Sequence, residues 1–250
     1  MLNKSRVKYI QSLYHKKFRD EEQLFVIEGP KIVGEFLEKY SNQVFEIYAL
    51  NKWLGSNTHH FHEIAAEKLV EVGDNDLKRI SSLSTPNQVL ALVRKKSQPF
   101  PAIANDELAL MLDDVQDPGN VGTIIRTADW FGINKILCSN GCADIYNSKV
   151  IQSTMGSIMR VDVLYTDLIE WYNHNNHLHF YGAALAGKSV YDLVIQQGVL
   201  IIGNESKGIR ESLLSVCKHK VTIPGTGEAE SLNAAVATGI LLSHIVKRSQ

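Results

Sequence analysis

Residues 221–237, VTIPGTGEAESLNAAVA, restrict the fold more than any other stretch. They open on β-branched residues, a short strand at Val221, Thr222 and Ile223. Pro224 has no N–H for a strand ladder and stops it. Gly225 and Gly227 allow backbone turns barred to other residues. Ser231 is an N-cap residue type, and residues 232–246 read as a helix beginning there. Leu232, Ala235, Val236, Ile240, Leu241, Leu242 and Ile245 make that helix apolar nearly all round, the pattern of a buried one. Its mouth carries Ser231 and Asn233. A strand, a glycine-rich loop and a helix N-terminus with free N–H groups form a seat for a small polar ligand. The same joint is also an ordinary connection of α/β proteins.

The remainder of the chain is consistent with that class. Residues 24–28 (LFVIE), 44–50, 68–72 and 89–94 (VLALVR) predict strands, with helices over 31–40, 61–67 and 75–83. This alternation describes a small α/β domain at 1–94. Residues 95–106, KKSQPFPAIAND, read as a semi-rigid linker. A second domain at 107–250 begins with a strand at 107–113. The turn DPGN follows, with Asn120 as the expected cap of the next helix. Val121, Ile124, Ile125 and Ala128 form the apolar stripe of that helix, and Arg126 lies off it, toward a cleft or solvent. Strands at 135–138, 179–185 and 199–202 alternate with helices at 148–157 and 166–175, predicting a mostly parallel sheet covered on both faces.

Charge is nearly balanced, with 26 basic and 27 acidic residues, so a nucleic-acid surface must be local. Residues 2–19 meet that condition: Lys4, Arg6, Lys8, Lys16, Lys17 and Arg19 occur with no acid among them, interleaved with Tyr9, Tyr14 and His15. They suit phosphate contact with rings available for stacking, or else a plain solvated helix face. Cys138, Cys142 and Cys217 cannot all pair, and no signal peptide is expected, which points to free thiols in a reducing cytoplasm. The cysteines lack zinc spacing, and the histidines at 59, 60, 62 and at 174, 177, 179 match no metal-site pattern, so no metal is expected. No apolar run is long enough to cross a bilayer.

Three ordered segments carry the functional reading: LMLDDVQDPGNVGTIIRTADWFG at 110–132, LIIGNESKGIR at 200–210, and IPGTGEAESLN at 223–233. Together they resemble the three motifs of the SpoU (TrmH-type) RNA 2′-O-ribose methyltransferases of the SPOUT superfamily. The resemblance covers 107–248. Residues 17–35, KFRDEEQLFVIEGPKIVGE, resemble the opening of the small L30-like RNA-binding domain that often precedes it. The resemblance implies an α/β fold: a C-terminal SPOUT domain with a mostly parallel sheet and a trefoil knot, preceded by an L30-like domain. It also implies S-adenosylmethionine as methyl donor, RNA as substrate (ribosomal RNA ahead of transfer RNA), and a homodimer with the site near the subunit interface. Residue by residue, it assigns Arg126, Asn120, Glu205, Ser231 and Asn233 to the catalytic cleft, with Asn120 supporting Arg126. Main-chain groups of Gly203, Ile223 and Leu232 are assigned to the donor, with Ala184 and Leu185 as an apolar wall for its adenine. Ala235 stands where many relatives carry serine, a position given no chemical role.

An arginine is a poor general base because it stays charged in proteins. The expected role of Arg126 is a phosphate clamp that stabilises an emerging alkoxide, with another group or water taking the proton. Two alternatives compete. One is a non-catalytic RNA-binding protein of the same fold. The other is a P-loop phosphotransferase, since residues 182–189, GAALAGKS, match the nucleotide-triphosphate pattern literally. Against it, AALA reads as continued strand and little chain remains for a helix.

Overall fold

The computed structural model describes residues 1–96 and 99–246. Ser97 and Gln98 of the expected linker, and residues 247–250 of the expected second domain, lie outside them. The chain separates into two compact units, Met1–Gln98 with Tyr146–Gly156, and Pro99–Ile145 with Ser157–Gln250.

The first unit contains α1 (Lys4–Ser12), α2 (Lys16–Glu22), β1 (Leu24–Glu28), α3 (Pro30–Tyr40), β2 (Val44–Ala49), α4 (Asn51–Ser56), β3 (Leu69–Glu71), α5 (Asp74–Ile80) and β4 (Val89–Arg94). Its sheet runs β1-β4-β2-β3, antiparallel except for the β2–β3 pair. Every residue of β1 is buried, and Val7, Ile10, Leu13, Tyr48, Leu77 and Leu92 share its core. The helix expected at 61–67 is not formed; short 3-10 turns stand at Thr58–His60 and Ala66–Lys68 instead. Within 61–67 only Ile64 is buried, so there is no apolar stripe to hold a helix down.

The second unit is built on β5 (Leu108–Leu112), α6 (Pro118–Trp130), β6 (Lys135–Cys138), β7 (Asp162–Tyr165), α8 (Leu168–His174), β8 (Phe180–Ser189), β9 (Gly198–Ile202), α9 (Glu211–Leu214), β10 (His219–Thr222) and α10 (Ala234–Ile245); α7 (Ser148–Thr154) falls within the first unit. The strand order is β10-β8-β9-β5-β6-β7, all pairs parallel. Strands β6 and β9 are buried at every position, as a sheet covered on both faces requires. Strand β7 was not foreseen: it is short, half-buried throughout, and lies at the sheet edge.

Two helix caps differ from expectation. Asp117, not Asn120, caps α6: its Oδ1 accepts the N–H of Asn120 at 2.8 Å, and Pro118 occupies the first turn. Asn233, not Ser231, caps α10, its Oδ1 accepting from Ala235 at 2.9 Å and Val236 at 3.2 Å.

The P-loop alternative fails on the backbone. Residues 182–189 are strand throughout, followed by a three-residue 3-10 turn at Val190–Asp192 rather than a helix. The glycines serve strand packing: a Cβ on Gly187 would stand 2.4 Å from the carbonyl oxygen of Lys220 on β10.

Candidate active site

The carboxyl ends of β5, β9 and β10 lead into the three motif loops. Strands β5 and β9 are neighbours; after β5 the chain moves to β6, and after β9 it moves past β8 to β10. The crevice outside their carboxyl ends is therefore the topological switch point of the sheet, where open α/β folds bind ligands.

Side chains from all three loops meet there. Asn120 Nδ2 donates to Glu205 Oε1 at 2.7 Å. Asn233 Nδ2 donates to Asn120 Oδ1 at 2.8 Å. Asn233 Oδ1 in turn accepts the first free N–H groups of α10. Each amide donates from nitrogen and accepts at oxygen, so the relay has one direction. It runs from the electropositive end of α10 through Asn233 and Asn120 to the Glu205 carboxylate. Asn120 is buried, Glu205 half-buried and Asn233 exposed.

The loop bearing Glu205 is tightly folded. Asn204 and Gly208 exchange main-chain hydrogen bonds of 3.0 and 2.9 Å. A Cβ on Gly203 would stand 2.3 Å from both Gly208 C and Ile209 N, so only glycine fits. The loop after β10 is open. Among the described residues, 224–232 make no hydrogen bond, and a Cβ at Gly225 or Gly227 would meet nothing within 4 Å. Beside it stand exposed Leu232 (45%) and Leu185 (78%), with half-buried Ala184 and Ile223. Free main-chain groups next to bare aliphatic side chains fit a ligand that is part amino acid, part adenine. Ser231 is exposed in the same loop.

Residues 107–243 match the family model of the SpoU rRNA Methylase family, more than half of the chain. The chain belongs to that family. Residues 4–91 match the MRM3-like substrate binding domain. The chain is 32% identical to the 23S rRNA (guanosine(2553)-2′-O)-methyltransferase RlmP of Bacillus subtilis, over 96% of this chain and 95% of that protein. It is similar throughout to a solved TrmH-family protein from Porphyromonas gingivalis, with 36% identity, a TM-score of 0.87 and complete coverage of both chains. It also resembles an AdoMet-bound rRNA methyltransferase from Sinorhizobium meliloti, with 27% identity, a TM-score of 0.85, and 98% and 95% of the two chains covered.

Within this SpoU-family site, Asn120, Glu205 and Asn233 stand together, but Arg126 does not join them. It lies six residues along α6 from Asn120, about 9 Å up the axis and on another side of the helix. Asn120 thus supports Glu205 and Asn233, not Arg126. Arg126 is exposed on a stripe with Thr123 and Trp130, and its guanidinium makes no hydrogen bond or ion pair among the described residues.

The basic patch is smaller than the sequence implied. Arg19 is buried, 2% exposed, and its Nη1 donates to the Leu13 carbonyl at 3.0 Å, so it holds the α1–α2 corner and is withdrawn from RNA contact. Arg6 pairs with Glu46, donates to Tyr48 Oη at 2.5 Å, and lies over the Tyr9 ring. Lys4, Lys8, Lys16 and Lys17 remain exposed. Sequence reading missed Asp113 and Arg210, which tie the loop of Glu205 to β5. The signal available was Arg210 at the end of the second motif, in a half-exposed position that sequence alone reads as surface.

Proposed function

We propose that this chain transfers a methyl group from S-adenosylmethionine to a ribose 2′-hydroxyl in RNA, with ribosomal RNA as the substrate class. The relay from α10 through Asn233 and Asn120 to Glu205 carries the reading, because it joins the three motif loops at the switch point. The name of the Bacillus subtilis relative supports ribosomal RNA. Residues 203, 223 and 232 supply main chain to the donor; Ala184 and Leu185 offer an apolar face to its adenine. When bound, the donor supplies a methyl group on a sulfonium, already reactive toward an oriented nucleophile.

The protein must then orient the hydroxyl and manage its charge. Glu205, held by Asn120, and Ser231 line the crevice. Arg126 clamps a phosphate next to the target ribose and stabilises the developing alkoxide. It stays protonated, so the proton leaves to another group or to water. The exposed lysines at 4, 8, 16 and 17 track the RNA backbone.

Because Arg126 faces away from the relay of its own chain, it serves the crevice of a second copy. The exposed apolar side chains of Trp130 on α6 (78%) and Val236 on α10 (52%) support a homodimer through these helices. A trefoil-knotted second unit and a cytoplasmic setting belong to the same reading; the three free thiols support a reducing compartment. No helix among the described residues is long and apolar enough to cross a membrane, and no cluster of three or more metal-ligating side chains is found among them.

The test is methyl incorporation from labelled donor into ribosomal RNA, with Arg126→Ala alongside. Activity should fall by about a hundredfold or more on losing this charge stabilisation. Undiminished transfer by the variant would refute the role of Arg126, and no transfer by the wild-type chain would refute the enzyme reading.

A further inference from the structure

We propose that the Asp113–Arg210 ion pair is a positioning device for methyl transfer, setting the loop that presents Glu205 and its main chain to the donor. The inference rests on the methyltransferase reading above.

Asp113 follows β5 and is fully buried, at 0% exposure. A carboxylate taken out of water persists only when its oxygens are paired. Its Oδ2 accepts the main-chain N–H of Arg210 at 2.8 Å, its Oδ1 accepts Arg210 Nε at 2.7 Å, and Arg210 Nη2 lies 2.7 Å from the same oxygen. These contacts hold the guanidinium above its ordinary arginine range. One foot of the loop is thereby fixed in position and orientation.

The next residue fixes the other foot. The carbonyl of Asp114 accepts Asn204 Nδ2 at 2.8 Å. Asp114 has a left-handed backbone, φ 56°, which aspartate tolerates better than most residues. Ser139 steadies it: Ser139 Oγ accepts the Asp114 N–H at 2.9 Å and donates to its carboxylate at 2.7 Å. Within the loop, Asn204 Oδ1 accepts the N–H groups of Ser206 and Lys207 at 2.9 and 3.0 Å. The side chain of Glu205 leaves this tied loop to meet Asn120. Two consecutive residues of the first motif therefore dictate the geometry of the second.

Arg210 is not a free RNA contact. Its side chain is 49% exposed, but its charge already faces Asp113, with Asp114 and Asp167 nearby. A planar fork that binds a carboxylate through Nε and Nη2 fixes orientation as lysine cannot.

The test uses the full chain with Arg210→Gln and Arg210→Lys. Calorimetry measures S-adenosylmethionine binding without RNA, and steady-state methyl transfer gives kcat separately. Arg210→Gln should raise the donor Kd on the order of tenfold and lower kcat about ten- to a hundredfold through misplacement of Glu205. Arg210→Lys should recover part of both. In an Asn120→Ala background, Arg210→Gln should lower kcat little further, because both act through Glu205. A fall in melting temperature with Kd and kcat within twofold of wild type would overturn the proposal and leave a purely structural pair. Failure of the wild-type chain to bind the donor would instead overturn the methyltransferase reading itself.

Discussion

Asn120 shows how much one amide decides. It donates to a carboxylate on one side and accepts from an amide on the other. Aspartate has the same shape but no donor. Asn120→Asp would set a second carboxylate against Glu205, and like charges so close cannot both ionise cheaply. The variant should be less stable than wild type by about 1–3 kcal/mol at neutral pH, and the deficit should shrink on acidification as one proton is shared. Urea unfolding of both proteins across a pH series measures this; a deficit that grows on acidification would contradict the relay. The polarity of this site was not legible in the sequence. Asn120 reads as a helix cap and Asn233 as a cleft residue, and only the contacts of Asn120 with both Glu205 and Asn233 show the three bonded in series. Arg19 teaches the opposite lesson: six basic residues looked alike in sequence, yet one is consumed by a main-chain carbonyl inside the fold.

Among the elements, β8 and β10 illustrate what glycine does at close range. Gly187 faces the Lys220 carbonyl where no Cβ fits. Gly187→Ala should destabilise the chain by about 1–3 kcal/mol through overpacking, read as a lower urea midpoint. At the start of β6, Lys135 is buried and donates to Glu107 and to the Ala102 carbonyl. The lysine's hydrogen bond holds the Glu107 carboxyl below its ordinary value. A depressed folded-state pKa gives stability that is present above the unfolded pKa and lost as pH falls through the folded one. Wild type should therefore lose stability on acidification more steeply than Glu107→Gln, whose midpoint should be lower at neutral pH and flatter below it. Parallel pH dependences would remove Glu107 from the acid response. Strands β1, β4, β5, β6 and β9 were readable because short apolar runs bounded by turn residues leave little choice. The turns at residues 61–67 were not, since a loosely periodic polar stretch becomes helix only if the core receives one face of it.

For the whole molecule, the decisive question is which chain completes which crevice. If Arg126 acts across a dimer, Arg126→Ala and Asn120→Ala should each be severely impaired though still measurable, yet mixing and re-forming dimers should restore much of the lost activity. About half the dimers would be mixed, each with one complete site, giving roughly a quarter of wild-type activity. If Arg126 acts within its own chain, no mixture regains activity, and the measurement separates the two.

The order and spacing of the three motifs, the alternation of strands and helices, and the apolar last helix were determined by the sequence alone. They follow from local propensity, periodicity and turn chemistry, which act over a few residues. The tertiary structure alone decided that Asp113 and Arg210 pair across 97 positions, and that Asn120 bridges Glu205 and Asn233 across 85 and 113 positions. Those outcomes depend on which strand lies beside which, and so on burial and charge compensation between residues far apart in the chain.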